Sequence, residues 1–208
     1  MARRKRFLSP SEERYRQACL QWNGKPYYSL DHYLRQQFGQ KIYKIAIDGG
    51  MTCPNRDGTK GTTGCSFCSA GGSGDFAVSR AFAADSCGDA SPFQSAFAGN
   101  PDKFTPAQTA DSTGIVTKQL NEGIRRLQSG RKYCGDRYIA YFQSYSNTYA
   151  PVPYLRSLYE EALAHPQTAA LSIATRPDCF SPEIFDLLSS CHERKPVWIE
   201  LGLQTMHD

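Results

Sequence analysis

Three cysteines, Cys53, Cys65 and Cys68, stand on one short stretch with the spacing C-x11-C-x2-C, directly after an apolar run over residues 42–47. Thiolates are soft ligands suited to zinc, copper(I) and iron–sulfur clusters, and clusters are ordinarily held by four of them. A loop that supplies three leaves one metal position open for a substrate or cofactor. The aromatic Phe67 precedes the last cysteine, and Gly58, Gly61, Gly64, Gly71, Gly72 and Gly74 surround the motif. Glycines let a backbone curl closely around a bulky inorganic centre. The alternative is structural zinc, because a C-x2-C pair with other cysteines in the chain also fits that metal. Cys87, Cys134, Cys179 or Cys191 could be the fourth ligand, but none sits in a second C-x2-C pair or beside a suitably spaced histidine. Plain thiols are the third reading.

The elements that must position such a loop follow a regular pattern. Residues 42–47, 137–142, 169–174 and 197–202 are short apolar runs rich in β-branched or aromatic side chains, which predicts strands buried on both faces of a parallel sheet. Helical patterns separate them. Residues 115–128 place Val116, Leu120, Ile124 and Leu127 on one face, with Gly130 as a stop. Residues 153–164 carry Leu155, Leu158, Tyr159 and Ala162, and Ser181 followed by Pro182 opens a helix through Cys191 with Ile184, Leu187 and Leu188 inward. A helix over 27–38 is predicted ahead of the first strand, with its aromatics in the core. Strand and helix alternating in this way predict right-handed βαβ units and an α/β fold. Residues 79–111, rich in Ala, Ser, Gly and Asp and without periodicity, read as a loop-like insertion.

In α/β barrels the working residues collect where strands end and the following loops begin, and the polar motifs of this chain fall there. The cysteines follow the first strand. Gln143, Ser144, Tyr145, Ser146, Asn147 and Thr148 follow the second, Thr175-Arg176-Pro177-Asp178 the third, and Glu200, Gly202, Gln204 and Thr205 close the fourth. Asn147 and Thr148 either shape the turn before Pro151 or touch substrate. Arg176 either pairs with Asp178 or Glu200 or faces the site. A Glu200 turned inward would need a partner. Arg56 and Lys60 read as solvated, with contact to a substrate phosphate as the alternative, and His165, His192 and His207 as solvated or capping residues.

With these motifs in place, the chain resembles the radical S-adenosylmethionine (SAM) superfamily, whose usual signature is C-x3-C-x-aromatic-C after the first barrel strand. The wider first gap is similar to the elongator-type branch. It is closer still to an uncharacterised bacterial radical SAM family that shares Tyr-Tyr-Ser-Leu over 27–30, Cys-Pro-Asn-Arg-Asp-Gly-Thr over 53–59 and Cys-x-Phe-Cys over 65–68. The resemblance implies a partial TIM-type (β/α)6 barrel, of which this chain supplies about four βα units, so an N-terminal fragment is expected. It implies that Cys53, Cys65 and Cys68 hold a [4Fe–4S] cluster that cleaves SAM reductively, with no catalytic residue beyond the cluster ligands. It also implies SAM contacts from Gln143, Ser144, Arg176 and Gln204, and a reductant such as flavodoxin or ferredoxin. Ala174 stands where a glutamate often precedes the Thr-Arg-Pro-Asp motif, so a carboxylate contact from that position is lost. Similarity to the elongator-type branch makes tRNA the preferred substrate class, with a small metabolite or a protein partner as the alternatives. The competing reading is a non-enzymatic zinc- or cluster-bearing binding module.

Composition agrees with a globular chain. Of its 208 residues 40% are hydrophobic and 21% charged, ordinary for a folded domain of this length. No run of eighteen apolar residues occurs, and no apolar stretch follows the basic start of the chain, so neither a membrane span nor a secretory signal is expected. Free cysteines without a signal point to a reducing, cytoplasmic compartment. Residues 1–24 read as a basic solvated tail, and 25–208 as the core.

Overall fold

The computed structural model describes residues 8–78, 114–130 and 135–202, which fall into two compact units, Met1–Ile42 and Tyr43–Asp208. The expected insertion at 79–111 lies outside the described residues, as do Cys87, Cys134, Gln204 and His207.

Within residues 1–24, read from the sequence as a basic solvated tail, the first unit holds a helix. Helix α1 (Pro10–Gln21) forms there, because Ser9 and Glu12 make a reciprocal capping box and Pro10 occupies the first helical position. No residue of α1 is buried. Helix α2 (Leu30–Phe38) starts three residues later than predicted, since the Ser29 hydroxyl accepts from the His32 amide at 3.2 Å and caps it. Tyr27 and Tyr28 therefore precede the helix and are exposed, and Leu34 is the one buried residue of α2. Tyr33 and Phe38 of α2 are half-buried. Tyr28 donates to Gln36 and meets the rings of Trp22 and His32 edge-on.

The second unit is an α/β layer. Strands β1 (Tyr43–Ile47), β2 (Tyr138–Phe142), β3 (Thr168–Thr175) and β4 (Val197–Leu201) are all parallel in the order β1-β2-β3-β4. Helices α3 (Ile115–Gln128), α4 (Val152–Ala164) and α5 (Pro182–His192) connect them and pack on β1, β3 and β4 and on one another. Register aligns Ile45 with Ala140, Leu171 and Val197 in one row. That row, with Ile47, Phe142 and Ile173, meets Val116, Leu120, Leu155, Leu158, Tyr159 and Leu187 in a single core. Strand order without a reversal lacks the switch point of a doubly wound sheet.

The opposite face carries Ala46, Ile139, Ala170, Ala174 and Trp198 and, among them, a polar group. Lys44, Tyr141, Ser172 and Glu200, one residue from each strand, meet on it: Lys44 and Ser172 bond to Glu200 Oε1, and Tyr141 donates to Oε2 at 3.0 Å. The Lys44 ammonium lies 4.1 Å from the centre of the Tyr141 ring. Strands β1 and β4 stand three spacings apart, about 14 Å on a flat sheet. The group therefore links all four strands across that width. On the helix side of β4, Ile199 and Leu201 remain exposed. Among the described residues no helix is long and apolar enough to cross a membrane.

Candidate metal and cofactor site

The helices fix where the cysteine loop leaves β1. Gln119 on α3, fully buried, accepts from the Asp48 amide at 2.8 Å and donates to the Asp48 carbonyl at 2.9 Å. Tyr154 on α4 donates to the Gly49 carbonyl at 2.7 Å, and Asp48 Oδ1 accepts from the Gly50 amide. Downstream, the Cys53 carbonyl accepts from the amides of Arg56 and Asp57, and the Asn55 carbonyl from Gly64. The loop thereby folds back on itself so that Cys53 and the Cys65/Cys68 pair border a common space.

Arg56 is not the solvated cation expected. Its guanidinium donates to the carbonyl of Ser69 at 2.6 Å and more loosely to those of Cys68 and Ala70, and lies 5.6 Å from the centre of the Tyr145 ring. Its acceptors are backbone groups, so it brings positive charge to a loop of three thiols while holding the second half of that loop in place.

The segment after β2 closes onto the cysteine loop. The Tyr145 amide donates to the Gly72 carbonyl at 2.9 Å, its phenol to the Ala70 carbonyl at 3.0 Å, and the Ser146 amide to the Thr52 carbonyl. Contact is so close that a Cβ at Gly72 would sit 2.4 Å from Tyr145 Cδ1, and one at Gly74 would sit 1.9 Å from Ser144 Oγ. Asn147 and Thr148 are completely enclosed and act as cross-strand ties. Asn147 Nδ2 donates to the carbonyls of Phe142 and Ala174, and Thr148 bonds to Thr175 and to the Cys179 carbonyl.

A cavity of about 330 Å³ opens where the four strands end. Cys53, Cys65 and Cys68 line it together with Gln143, Arg176, Tyr141 and Glu200. Of the residues expected around the cofactor, Ser144 is buried against Gly74 and does not line the cavity, and Gln204 lies outside the described residues. Arg176 takes both alternatives, lining the cavity while its Nε and one Nη bond to the Asp178 carboxylate at 2.8 Å each. Lys60 reaches the same carboxylate and so ties the cysteine loop to the loop after β3. The Arg176 bonds, then Lys60, hold the Asp178 carboxyl well below its usual range.

Glu200 and its three donors were not legible as a group in the sequence. Burial pushes the Glu200 carboxyl up, but the bonds from Lys44, Ser172 and Tyr141 outweigh it and keep the group ionised. Tyr141 is pushed up to about 12 by burial and by the neighbouring Glu200 charge, so it stays a neutral donor. Cys179 is buried and its thiol is pushed up to about 11, first by burial and then by Asp178, which leaves it an uncharged packing residue behind the cavity. His165, read as solvated or capping, is the C-cap residue of α4 and is buried. Its Nδ1 accepts from the Gln167 amide, so Nε2 carries the proton and donates to Asn121.

The donor set suits a thiolate-held polynuclear centre. Three thiols border one cavity, a guanidinium stands beside them, and glycines bring the walls into contact. Among the described residues no three His, Cys, Asp or Glu side chains converge as ligands of a single metal ion.

No family model matches the chain, and no solved structure matches it. It is 40% identical over 184 residues to the uncharacterized protein YtqA of Bacillus subtilis, covering 88% of this chain and 47% of that protein. Protein YhcC of Escherichia coli is 34% identical over 176 residues, 84% of this chain and 45% of the relative. An uncharacterized protein of Methanocaldococcus jannaschii is 30% identical over 177 residues, 43% of its length. The chain thus spans just under half of the curated relatives it matches.

Proposed function

We propose that this chain carries the cluster-binding part of a radical SAM enzyme, with Cys53, Cys65 and Cys68 as the ligands of a [4Fe–4S] centre. The observation that carries the reading is the convergence of these three cysteines on one cavity at the strand ends, lined also by Gln143, Arg176 and Glu200. The unreversed parallel order of the strands supports a partial barrel of the TIM type, in which such a site belongs at this end. When bound, the reduced cluster would supply the electron that cleaves SAM into methionine and a 5′-deoxyadenosyl radical, which starts chemistry on the substrate.

The chain's own residues do the rest. Gln119 and Tyr154 set the exit of the loop, Arg56 and Tyr145 hold its second half, and Lys60 ties it to Asp178. Gln143 and Arg176 offer polar groups to the cavity, and Glu200, kept ionised by three donors, forms part of its lining. Cofactor chemistry of this kind asks the protein to bind, orient and exclude water rather than to supply an acid or base. Transfer RNA is the proposed substrate class, on the resemblance of the 175–178 motif to the elongator-type branch.

Anaerobic reconstitution with iron and sulfide, followed by incubation with SAM and dithionite, tests the reading. Formation of 5′-deoxyadenosine that is lost in a Cys53→Ala/Cys65→Ala/Cys68→Ala variant supports it. A colourless protein holding stoichiometric zinc contradicts it and favours a structural binding module.

A further inference from the structure

Two of the three cysteine sulfurs meet a side-chain hydrogen-bonding group. Asn55 Nδ2 donates to Cys65 Sγ at 3.2 Å, and Ser73 Oγ stands 3.7 Å from Cys68 Sγ. Asn55 is fastened to the same place twice, because its carbonyl accepts from the amide of Gly64, the residue just before Cys65, at 2.8 Å. The turn that presents it is closed by the Cys53 carbonyl, which accepts from Arg56 and Asp57. The amide therefore bridges the long gap between the first and second cysteines from a backbone held on both sides.

Ser73 gives an independent sign. It sits at φ 65°, between Gly72 and Gly74, in the left-handed region that disfavours any residue with a Cβ. Glycine would take this conformation without strain. Strained positions persist where the surroundings over-determine them, and they cluster at ligand clamps. What serine adds over its glycine neighbours is a hydroxyl, and that hydroxyl faces Cys68.

A cysteine that ligates a metal is a thiolate and only accepts, so both side chains would act as donors. We propose that Asn55 and Ser73 are positioning residues that raise the reduction potential of the cluster by donating hydrogen bonds to the Cys65 and Cys68 sulfurs, an inference that rests on the radical SAM reading. Hydrogen bonds to the sulfurs help set the potential of such centres, because they stabilise negative charge, and the reduced centre carries more of it. Removing a donor then makes the centre harder to reduce.

The experiment is an EPR-monitored redox titration of the reconstituted full chain, with iron and sulfide measured in parallel. Wild type is compared with Asn55→Leu, Asn55→Gln, Ser73→Gly and the Asn55→Leu/Ser73→Gly double variant. Asn55→Leu and Ser73→Gly are expected to load as much cluster as wild type with midpoints shifted to more negative potential. The double variant should shift further, and Asn55→Gln, which keeps an amide, should return toward wild type. Ser73→Gly should also unfold at the same or higher denaturant, since it relieves strain; a merely structural serine would lose stability instead. Fully loaded variants at the wild-type potential overturn the donor roles alone. Loss of loading in Asn55→Leu combined with an unchanged potential in Ser73→Gly also overturns them. A wild-type chain that takes up no cluster overturns the radical SAM reading and this inference with it.

Discussion

Gly72→Ala probes how the segment after β2 locks the cysteine loop. Gly72 has φ 61°, and a Cβ there would lie 2.4 Å from Tyr145 Cδ1. The left-handed backbone alone costs an alanine about 1–2 kcal/mol. The ring must also move, and moving it strains two hydrogen bonds, Tyr145 amide to Gly72 carbonyl at 2.9 Å and Tyr145 phenol to Ala70 carbonyl at 3.0 Å, worth about 1 kcal/mol each. The expected loss is about 2–4 kcal/mol in total, and with a urea slope of about 2 kcal/mol/M it lowers the unfolding midpoint by about 1–2 M. Gly58→Ala is the internal control. Gly58 has φ 91° but nothing within 4 Å of its Cβ position, so it should lose only the conformational part, about 1–2 kcal/mol. Urea unfolding of the two variants followed by far-ultraviolet circular dichroism makes the comparison. If Gly72→Ala costs no more than Gly58→Ala at equal slope, Tyr145 does not hold the loop.

Gln119→Leu strips both bonds from the Asp48 backbone inside the protein; at about 1–3 kcal/mol for each buried group left unsatisfied, denaturant unfolding should show a loss of several kcal/mol, and a loss under about 1 kcal/mol would mean that water replaces the side chain without penalty. Glu122 is held at about 2, against its ordinary 4.5, by bonds from Arg125 and then Arg126. It therefore stabilises the fold fully above about pH 4.5, and the contribution disappears as pH falls toward 2. Thermal melts from pH 6 to 2 should show a shallower acid limb for Glu122→Gln than for wild type, and parallel limbs would refute the pairing. Leu158→Ala, at a fully enclosed core position, should cost about 2–5 kcal/mol in the same urea assay, and a near-neutral result would place the α4 core elsewhere.

The strands and the three crossover helices were legible from their apolar patterns, although β4 buries none of its residues and the strand ends differ from the sequence reading by a residue. The cysteine loop was legible for a different reason: its ligand types and spacing are chemical and do not depend on packing. Helix α1 was not, since the basic start of the chain drew attention from the Ser9/Glu12 capping box, and the helix buries nothing that would give it an apolar stripe. Lys44 and Glu200 are 156 residues apart and share a face only through the sheet register, so no local pattern announces their meeting with Tyr141 and Ser172. Arg56 read as solvated because its acceptors are carbonyls, which every residue carries. Ser144 carried a cofactor role from family likeness, yet its hydroxyl faces Gly74, a packing detail set by two loops distant in sequence.

Iron and acid-labile sulfide content after anaerobic reconstitution, measured on the full chain and on single Cys→Ser variants, tests the central claim most directly. Wild type, Cys179→Ser and Cys191→Ser should each hold about four irons and about four sulfides per chain, as one cubane requires, while Cys53→Ser, Cys65→Ser and Cys68→Ser should each lose most of both. Equal metal content in all six proteins, or zinc in place of iron and sulfide in wild type, would contradict the assignment of these three cysteines as the ligands of a cluster.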